Sequence, residues 1–371
     1  MFGLTLGSCC NGTGRELFFI SRSYCSTPTD GRETSLGPSS FLPEFLADSL
    51  GFSRKESATI AAKVIRYSSR TKPSLVVDVL KEIGLDTSQI KKCVSRFPRL
   101  LYFDIDKTLS PKFEFLQELG FSSSDLTEII VKAPEIFSGG LDTNIRLNVA
   151  ALADIFGGNT EDLRRTIKSF PWLLHSGFVP KNISYFKELG FSIDQIRRFI
   201  SIMSLPFCYP TRWFQERVDM LVNDFGLPRG SSKLFYAVRA TSNLSKSKME
   251  RKLAIFRSFG WSESEIVTTF STQPNYFALS EASIQRKLDY YMNKLGLKPA
   301  YMSAIPFLSY SLEKRVIPRI EVVTHTLKEK KRPSLYAIIC LAESKFEAKY
   351  LLPYKDVMPD LYESYKSKVG R

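Results

Sequence analysis

The sequence predicts an all-α fold, a superhelical solenoid of about eight repeats, each built from two helices and a short third helix. Eight glycines recur at intervals of 33, 36, 37, 33, 36, 34 and 36 residues, and they are Gly51, Gly84, Gly120, Gly157, Gly190, Gly226, Gly260 and Gly296. A proline stands 14 residues after four of them, at Pro98, Pro134, Pro171 and Pro274. Two marks in constant phase indicate one supersecondary unit that stacks on its neighbours, because so short a unit cannot bury its own apolar face.

The repeat around Gly190 shows the predicted elements in order. Pro180 suits the first turn of a helix, and Gly190 is placed to end that helix in a left-handed turn. Ser192 then supplies an N-cap for a second helix, from about Asp194 to Met203. Pro206 closes this helix and begins a short third one. Sustained alternation of apolar and polar residues is missing from the sequence, so no β-strand is predicted.

Composition and charge restrict the classes of function. The chain has 371 residues, of which 43% are hydrophobic, and its 52 Lys and Arg exceed its 38 Asp and Glu to give a net charge of +14. This excess makes polyanions the first expected partners. No run of 18 apolar residues is present, so no membrane span and no membrane partner is expected. Six scattered cysteines and two histidines give neither a disulfide framework nor zinc-ligand spacing, so no metal and no cofactor is predicted.

The N-terminus differs from the rest of the chain. Residues 1–29 carry Arg15 and Arg22 against a single acid, Glu16, and are rich in Ser, Thr, Cys and Phe. This composition predicts an organellar transit peptide. The mitochondrion is the predicted destination, and the chloroplast is the alternative. We expect a linker over residues 30–43, the helical-repeat array over 44–345 and a C-terminal cap over 346–371.

Three segments resemble a known family. Phe97–Leu101 reads FPRLL, Phe170–Leu174 reads FPWLL, and the tail Leu308–Arg319 reads LSYSLEKRVIPR. Together with the spacing of the glycines, they resemble the mitochondrial transcription termination factor (mTERF) family in its plant-type branch, over about residues 44–365. The resemblance implies a superhelix with a basic concave groove for nucleic acid and a role in organellar gene expression. The Gly226 repeat departs from the pattern, because Ala240 stands where proline is expected, and its regularity is in question.

The basic residues keep step with the repeat. Counted from the glycines, positions +6 and +10 are apolar in most repeats, whereas +7 and +8 hold basic pairs in several repeats and rotate away from the buried stripe. Stacking would align them into a stripe suited to a phosphate backbone. The alternative is a solvated charged face, and Thr127-Glu128 and Val267-Thr268 interrupt the stripe. The candidate phosphate ligands are Lys91, Lys92, Arg164, Arg165, Arg197, Arg198 and Lys233. A second basic set precedes the glycines, at Lys112, Lys181, Arg217, Lys252, Arg286 and Lys287, and the C-terminal Lys314, Arg315 and Arg319 add to it.

One segment matches an enzyme motif without its context. Leu100–Leu109 contains the hydrophobic-DxDxT pattern of haloacid dehalogenase-type phosphatases, with Asp104 and Asp106 as the carboxylates. It falls inside a repeat, and the equivalent segments of other repeats lack both acids, so it is interpreted as structural. His175 has no Cys or Asp at triad spacing and is interpreted as a groove or packing residue.

The sequence therefore predicts a monomeric, non-enzymatic organellar factor. Its expected partner is organellar double-stranded DNA, in transcription termination or regulation, with organellar transcription or splicing proteins as further partners. An RNA-binding factor for intron splicing or transcript stability is the alternative within this class. A helical-repeat scaffold that binds a protein is the alternative from a different class.

Overall fold

A computed structural model describes residues 41–67, 72–327 and 333–369. Every regular element in these ranges is a helix, which confirms the predicted all-α repeat fold. The predicted transit peptide, residues 1–29, and most of the linker predicted over 30–43 lie outside the described residues. The first described helix begins at Phe41, three residues before the array was expected to begin. Within the described ranges, the helices are too short or too polar to cross a membrane.

The repeats have the predicted order of elements. The first helices are Phe41–Leu50, Pro73–Ile83, Ser110–Glu118, Arg146–Phe156, Val179–Glu188, Thr211–Asn223, Lys246–Ser258 and Glu281–Leu288. The second helices are Arg54–Val64, Thr87–Arg96, Ser123–Lys132, Thr160–Ser169, Ile193–Ile202, Ser232–Thr241, Glu263–Thr272 and Pro299–Ser303. Short 3₁₀ helices follow at Pro98–Tyr102, Pro134–Ser138, Pro171–Leu173, Leu205–Cys208, Pro274–Ala278 and Phe307–Ser309. We name each repeat after its glycine.

Wider π-type turns and a C-terminal group of helices complete the chain. The π-type turns are Ile105–Leu109, Leu141–Ile145, Asp289–Lys294, Leu312–Val316 and Glu347–Leu351. The C-terminal helices are Ile317–Thr326, Leu335–Cys340, Glu343–Phe346 and Pro359–Val369, with a 3₁₀ turn at Leu352–Tyr354. Asp104, from the phosphatase-like motif, caps the first π-type turn, where its Oδ1 accepts a hydrogen bond from the Lys107 N–H at 2.8 Å. It thus lies at a helix start, in agreement with the structural interpretation.

The glycine turns follow from backbone sterics. Gly120 has φ of +85°, a left-handed conformation that glycine adopts without a Cβ clash. Its N–H donates to the Gln117 carbonyl at 2.8 Å, and the Phe121 N–H donates to the Leu116 carbonyl at 3.2 Å, which ends the helix in a Schellman-type turn. Ser122 and Asp125 then form a capping box that begins the second helix.

The closing prolines fix the start of the short helices. Phe97, Ala133, Phe170 and Gln273 precede these prolines and share nearly the same backbone, with φ of −130° to −148° and ψ of 65° to 75°. The proline ring excludes the α conformation from the residue before it, so the second helix ends there and the chain turns. The Gly226 repeat has no such proline, and its second helix leads into a turn at Ser242 without a 3₁₀ helix in this described stretch. Its expected irregularity is therefore present.

The chain forms two compact units. Unit 1 comprises residues up to Ile183 together with Phe207–Pro210, and unit 2 comprises Ser184–Pro206 and Thr211–Arg371. In unit 1 the second helices of successive repeats pack on each other, as do the short helices that follow them. Aromatic rings dominate the interior of unit 2, where Phe199 and Phe235 stack with centroids 3.7 Å apart. In unit 1 this packing places the same position of successive repeats side by side.

Candidate nucleic-acid interface

The buried stripe of the second helices is as predicted. Five of its residues are fully buried, with 0% exposure: Ile90, Val94, Ile167, Ile196 and Ile200. Leu163, at 6% exposure, completes the set of positions +6 and +10 that the sequence assigned to the core. Positions +7 and +8 therefore lie at the edge of the buried face and beyond it.

Position +7 is used for packing between repeats in the Gly84 and Gly157 repeats. The Lys91 ammonium donates to the Gly51 carbonyl and lies 4.8 Å from the centroid of the Phe52 ring. The Arg164 guanidinium lies over Gly120, so close that a Cβ on this glycine would overlap its Nη1 atom. Both cations thus sit at the turn that ends the first helix of the preceding repeat. The helix dipole leaves partial negative charge at such an end, which a cation stabilises.

Position +8 points to solvent. Lys92 and Arg198 are exposed, and the side chain of Arg165 is 69% exposed. Arg165 places Nη1 3.0 Å from Asp162 Oδ1, within its own helix. An exposed pair of this kind contributes little to stability, so the guanidinium can exchange a carboxylate for a phosphate at small cost. In the Gly84 and Gly157 repeats the predicted stripe is thus split into a structural half at +7 and a solvent-facing half at +8, whereas Lys233 at +7 of the Gly226 repeat is exposed.

Four members of the second basic set are buried, namely Lys112, Lys252, Lys287 and Arg319. Lys252 is 5% exposed and its Nζ donates to the Phe277 carbonyl at 2.5 Å, while Lys287 is 9% exposed and donates to the Leu308 carbonyl at 2.5 Å. Arg319 is fully buried, with Nη2 2.6 Å from Glu343 Oε2. No phosphate can reach these nitrogens without displacing the interior bonds. This corrects the prediction of phosphate contact for Lys112, Lys252, Lys287 and Arg319.

These buried donors belong to a periodic set of side chains. The sequence analysis interpreted its basic members Lys112, Arg217, Lys252 and Lys287 as phosphate ligands and did not include its asparagines. Lys112 Nζ donates to the Phe137 carbonyl at 2.6 Å, and Asn148 Nδ2 donates to the carbonyls of Leu173, Leu174 and Ser176. Asn182, Arg217, Lys252, Lys287 and Arg319 make equivalent bonds. The first six join the first helix of a repeat to carbonyls that follow its second helix, and Arg319 joins the helix Ile317–Thr326 to carbonyls at the end of Leu335–Cys340 and just after it. We call this set the anchors: Lys112, Asn148, Asn182, Arg217, Lys252, Lys287 and Arg319.

Most of the anchors satisfy carbonyls at or next to a short helix, whereas Arg217 bonds the Leu244 carbonyl in a turn and Arg319 bonds the end of an α-helix. A 3₁₀ turn of three to five residues has several carbonyls without an internal donor, and buried carbonyls need one. Burial lowers the pKa of the Lys112 ammonium to about 8, and it also lowers the pKa values of Lys252 and Lys287. The signal in the sequence was a Lys, Asn or Arg eight or nine residues before each of six glycines, at intervals of 34 to 36 residues.

The remaining candidates differ in availability. Lys92, Arg198, Lys233 and Lys314 are exposed, and their side chains make no hydrogen bond or ion pair with other described residues. Arg286 is 68% exposed and pairs with Glu313 at 3.3 Å. Arg315 is half-buried and donates to the carbonyls of Ile339 and Leu341 at 2.9 and 2.7 Å. Arg197 lies 2.7 Å from Asp194 at its own helix start. Among the described residues, His, Cys, Asp and Glu form no group of three that could hold a metal ion.

Comparisons with known proteins agree with this architecture. A family model described as mTERF matches residues 77–204 and 178–347. Transcription termination factor MTERF8, chloroplastic, of Arabidopsis thaliana is 24% identical over 233 residues, covering 62% of this chain and 46% of the relative. Transcription termination factor 3, mitochondrial, of Mus musculus is 28% identical over 130 residues, covering 34% of this chain and 31% of the relative. The chain thus aligns with less than half the length of either relative.

Proposed function

We propose that this chain, which belongs to the mTERF family, is a non-enzymatic factor that binds nucleic acid in an organelle and regulates gene expression there. Its first target is double-stranded DNA, in transcription termination or regulation. Both relatives carry the name of transcription termination factors, one chloroplastic and one mitochondrial, which supports an organellar role. The acid-poor residues 1–29 favour the mitochondrion.

One observation carries the proposal. Lys92, Arg198, Lys233 and Lys314 are exposed cations without an ion pair to other described residues, in a chain of net charge +14. Cations that pack or pair inside a protein serve its fold, whereas unpaired exposed ones are free to replace the counterions of a phosphate backbone. Arg165 and Arg286, held only in exposed pairs, add to this set. Phosphate contacts of this kind give affinity without base specificity.

The test is the salt dependence of binding for the full chain. Affinity for a duplex DNA and for an RNA of the same sequence is measured between 50 and 200 mM salt. Over this range the affinity of a protein that makes several phosphate contacts falls steeply as the salt concentration rises. The variant Lys92→Ala, Arg198→Ala, Lys233→Ala, Lys314→Ala should bind more weakly to every sequence. Its salt slope should be flatter by about one unit for each lost contact.

The matched control removes the same charge from other exposed positions. Lys81, Lys187, Lys294 and Arg212 are exposed and lie on first helices or the turn that follows one. Their fourfold change to Ala should leave the salt slope within error if the proposed set makes the contacts. If the two fourfold variants have equal effects, binding depends on the net charge of the protein and not on the proposed set of residues. Absence of measurable binding to either nucleic acid would leave the protein-binding scaffold as the better explanation.

A further inference from the structure

Unit 1 contains a pocket that the phosphate contacts do not use. Its volume is about 470 Å³, within the range of sites that hold small ligands. Three successive short helices form its wall, because each contributes the residue that follows its closing proline: Arg99, Glu135 and Trp172. The same backbone position thus presents three different side chains to one cavity. A shared backbone position that carries different side chains can present several chemical groups to one ligand.

Two polar groups of the pocket have unused hydrogen-bonding capacity. Nδ1 of His175 is buried and has no hydrogen-bond partner among the described residues. The Arg99 guanidinium is half-buried and lies 4.8 Å from the centroid of the Tyr67 ring, yet it makes no hydrogen bond or ion pair with other described residues. Buried donors and acceptors are normally satisfied in native proteins, so the Nδ1 atom of His175 points to a bound partner. The half-buried Arg99 guanidinium in the same pocket is available to that partner.

Charge and aromatic surface define the chemistry of that partner. Lys63, Arg96 and Arg99 line the pocket against one acid, Glu135, which Arg96 Nε neutralises at 2.8 Å. Burial, and then the charge of Arg96, lowers the pKa of His175 to about 4, so this ring is neutral near pH 7. The pocket therefore carries an excess of positive charge. Its ligand should be an anion.

The aromatic side chains of the pocket indicate that the ligand also contains a planar group. Tyr67, Phe97, Trp172 and Phe178 line the same cavity, and Tyr67 and Trp172 are partly exposed there. Aromatic side chains of this kind stack on planar rings, and stacking on a nucleobase is effective for every base. A planar ring joined to an anion, with donors and acceptors on the ring edge, matches the aromatic wall, the excess cations and the unused His175 atom together.

We propose that this pocket binds one unpaired nucleotide, with the base against Trp172 and Tyr67, the base edge at His175 and the phosphate at Arg99. The proposal rests on the proposed nucleic-acid function and specifies a second mode within it. The exposed cations contact the phosphate backbone of a nucleic acid of any sequence, whereas the pocket recognises a base that is not paired with a second strand. The nucleotide is either a free mononucleotide or an unpaired residue within a strand.

An acidic peptide with an aromatic side chain has similar chemistry and is less favoured. A peptide presents its carboxylate and its ring on separate flexible side chains, which must both be ordered on binding. A nucleotide carries the anion and the planar ring in one unit, and the base edge supplies the hydrogen-bonding groups that His175 lacks. The test includes this alternative as an outcome.

The first experiment uses the unmodified full chain. It is irradiated with 4-thiouridine monophosphate or with a short oligoribonucleotide that contains one 4-thiouridine, and the crosslinked peptides are mapped by mass spectrometry. Crosslinks should fall on the peptides that contain Tyr67, Trp172 or His175. Stronger crosslinking of the monophosphate identifies a free nucleotide as the ligand, whereas preference for the oligomer identifies a residue within a strand. Crosslinks confined to other peptides would overturn the proposal.

The second experiment measures affinity in variants. Arg99→Gln and Trp172→Leu should each weaken binding of a single-stranded oligoribonucleotide about tenfold, the effect of one charge-assisted hydrogen bond or one stacked base. Arg212→Gln removes the same charge from a side chain that is 91% exposed and should leave this affinity unchanged. Circular dichroism melting confirms that each variant is folded.

The outcomes separate this proposal from the general one. Binding of fully paired duplex should be the same in Arg99→Gln, Trp172→Leu and the unmodified chain, because paired bases do not enter the pocket. If all variants keep full single-strand affinity while the duplex still binds with steep salt dependence, the pocket proposal is wrong and the proposed function stands. If neither nucleic acid binds, the proposed function fails first. Competition of the crosslink by an acidic aromatic peptide alone would assign the pocket to a protein partner.

Discussion

The backbone of Gly230 packs directly on the turn at Gly190. A Cβ placed on Gly230 would lie 3.0 Å from the carbonyl oxygen of Gly190 and 3.1 Å from that of Leu189. In the preceding unit, Lys91 and Arg164 bring side chains to the equivalent turns. In the Gly226 repeat the backbone makes this contact, and Lys233 at position +7 is exposed.

Gly230→Ala should therefore destabilise the protein more than Gly226→Ala does. Both glycines have positive φ, +68° and +64°, and an alanine in that conformation costs about 1–2 kcal/mol. No atom lies within 4 Å of a Cβ at Gly226, whereas Gly230 faces rigid backbone that cannot move aside as a side chain can. Urea unfolding of the two variants measures the difference. Equal losses would show that the turns of these repeats do not touch in solution.

The two halves of the basic stripe should separate in mutants of the same two helices. Arg165→Ala with Arg198→Ala removes solvent-facing guanidiniums and should weaken nucleic-acid binding with a change in unfolding free energy below about 0.5 kcal/mol. Arg164→Ala with Arg197→Ala removes the same charge at position +7 and should affect binding less. Filter binding and thermal melting on both double variants make the comparison. The reverse order would assign the phosphate contacts to position +7.

Lys112 should give the protein a pH-dependent stability. Its pKa is about 8 in the folded chain, below the ordinary value of 10.5, because burial disfavours the charged form. Between pH 8 and 10.5 the unfolded state holds more protons at this site, so its contribution to stability increases as the pH rises through that window and is constant below it. The difference in unfolding free energy between the unmodified chain and Lys112→Met should therefore grow over this window. A constant difference from pH 7 to 10.5 would show that the ammonium is hydrated.

Two Arg–Glu pairs of unit 2 should differ widely in their effect on stability. Arg319 is fully buried against Glu343, so Arg319→Met removes the donor to the Ile338 carbonyl and the nearest cation of the Glu343 carboxylate, and it should cost about 3–5 kcal/mol. Arg315 still donates to the carbonyls of Ile339 and Leu341 in this variant. Arg286 pairs with Glu313 at the surface, and Arg286→Met should cost less than about 1 kcal/mol. Chemical denaturation of both variants tests the contrast. Similar losses would mean that water reaches Arg319.

Local features of the fold could be predicted because they depend on neighbouring residues. The left-handed glycines, the serine caps and the prolines that open the short helices are decided within about five residues, and Ser192 and Gly190 have the predicted roles. The apolar stripe at +6 and +10 follows from helical periodicity alone. These features required no knowledge of which helix packs on which.

The roles of the cations were only partly predictable. Amphipathic reasoning assumes that Lys and Arg face water, and it fails where a carbonyl about 25 residues away needs a donor, as Phe277 does for Lys252. The division between Arg164 and Arg165 depends on where the preceding repeat places its turn, which is a property of stacking. The pocket depends on the side-by-side packing of three short helices, so its residues are dispersed in the sequence.

The burial of the anchors also affects how binding data are to be read. Lys112, Lys252, Lys287 and Arg319 contribute to the formal charge of +14, but in the folded protein their cations are withheld from the surrounding solution. Denaturation releases all four, so an unfolded preparation would hold polyanions through more contacts and with a steeper response to salt than the native protein. A variant that is less stable and yet binds polyanions more tightly at low ionic strength has therefore lost structure, and its tighter binding does not indicate improved recognition.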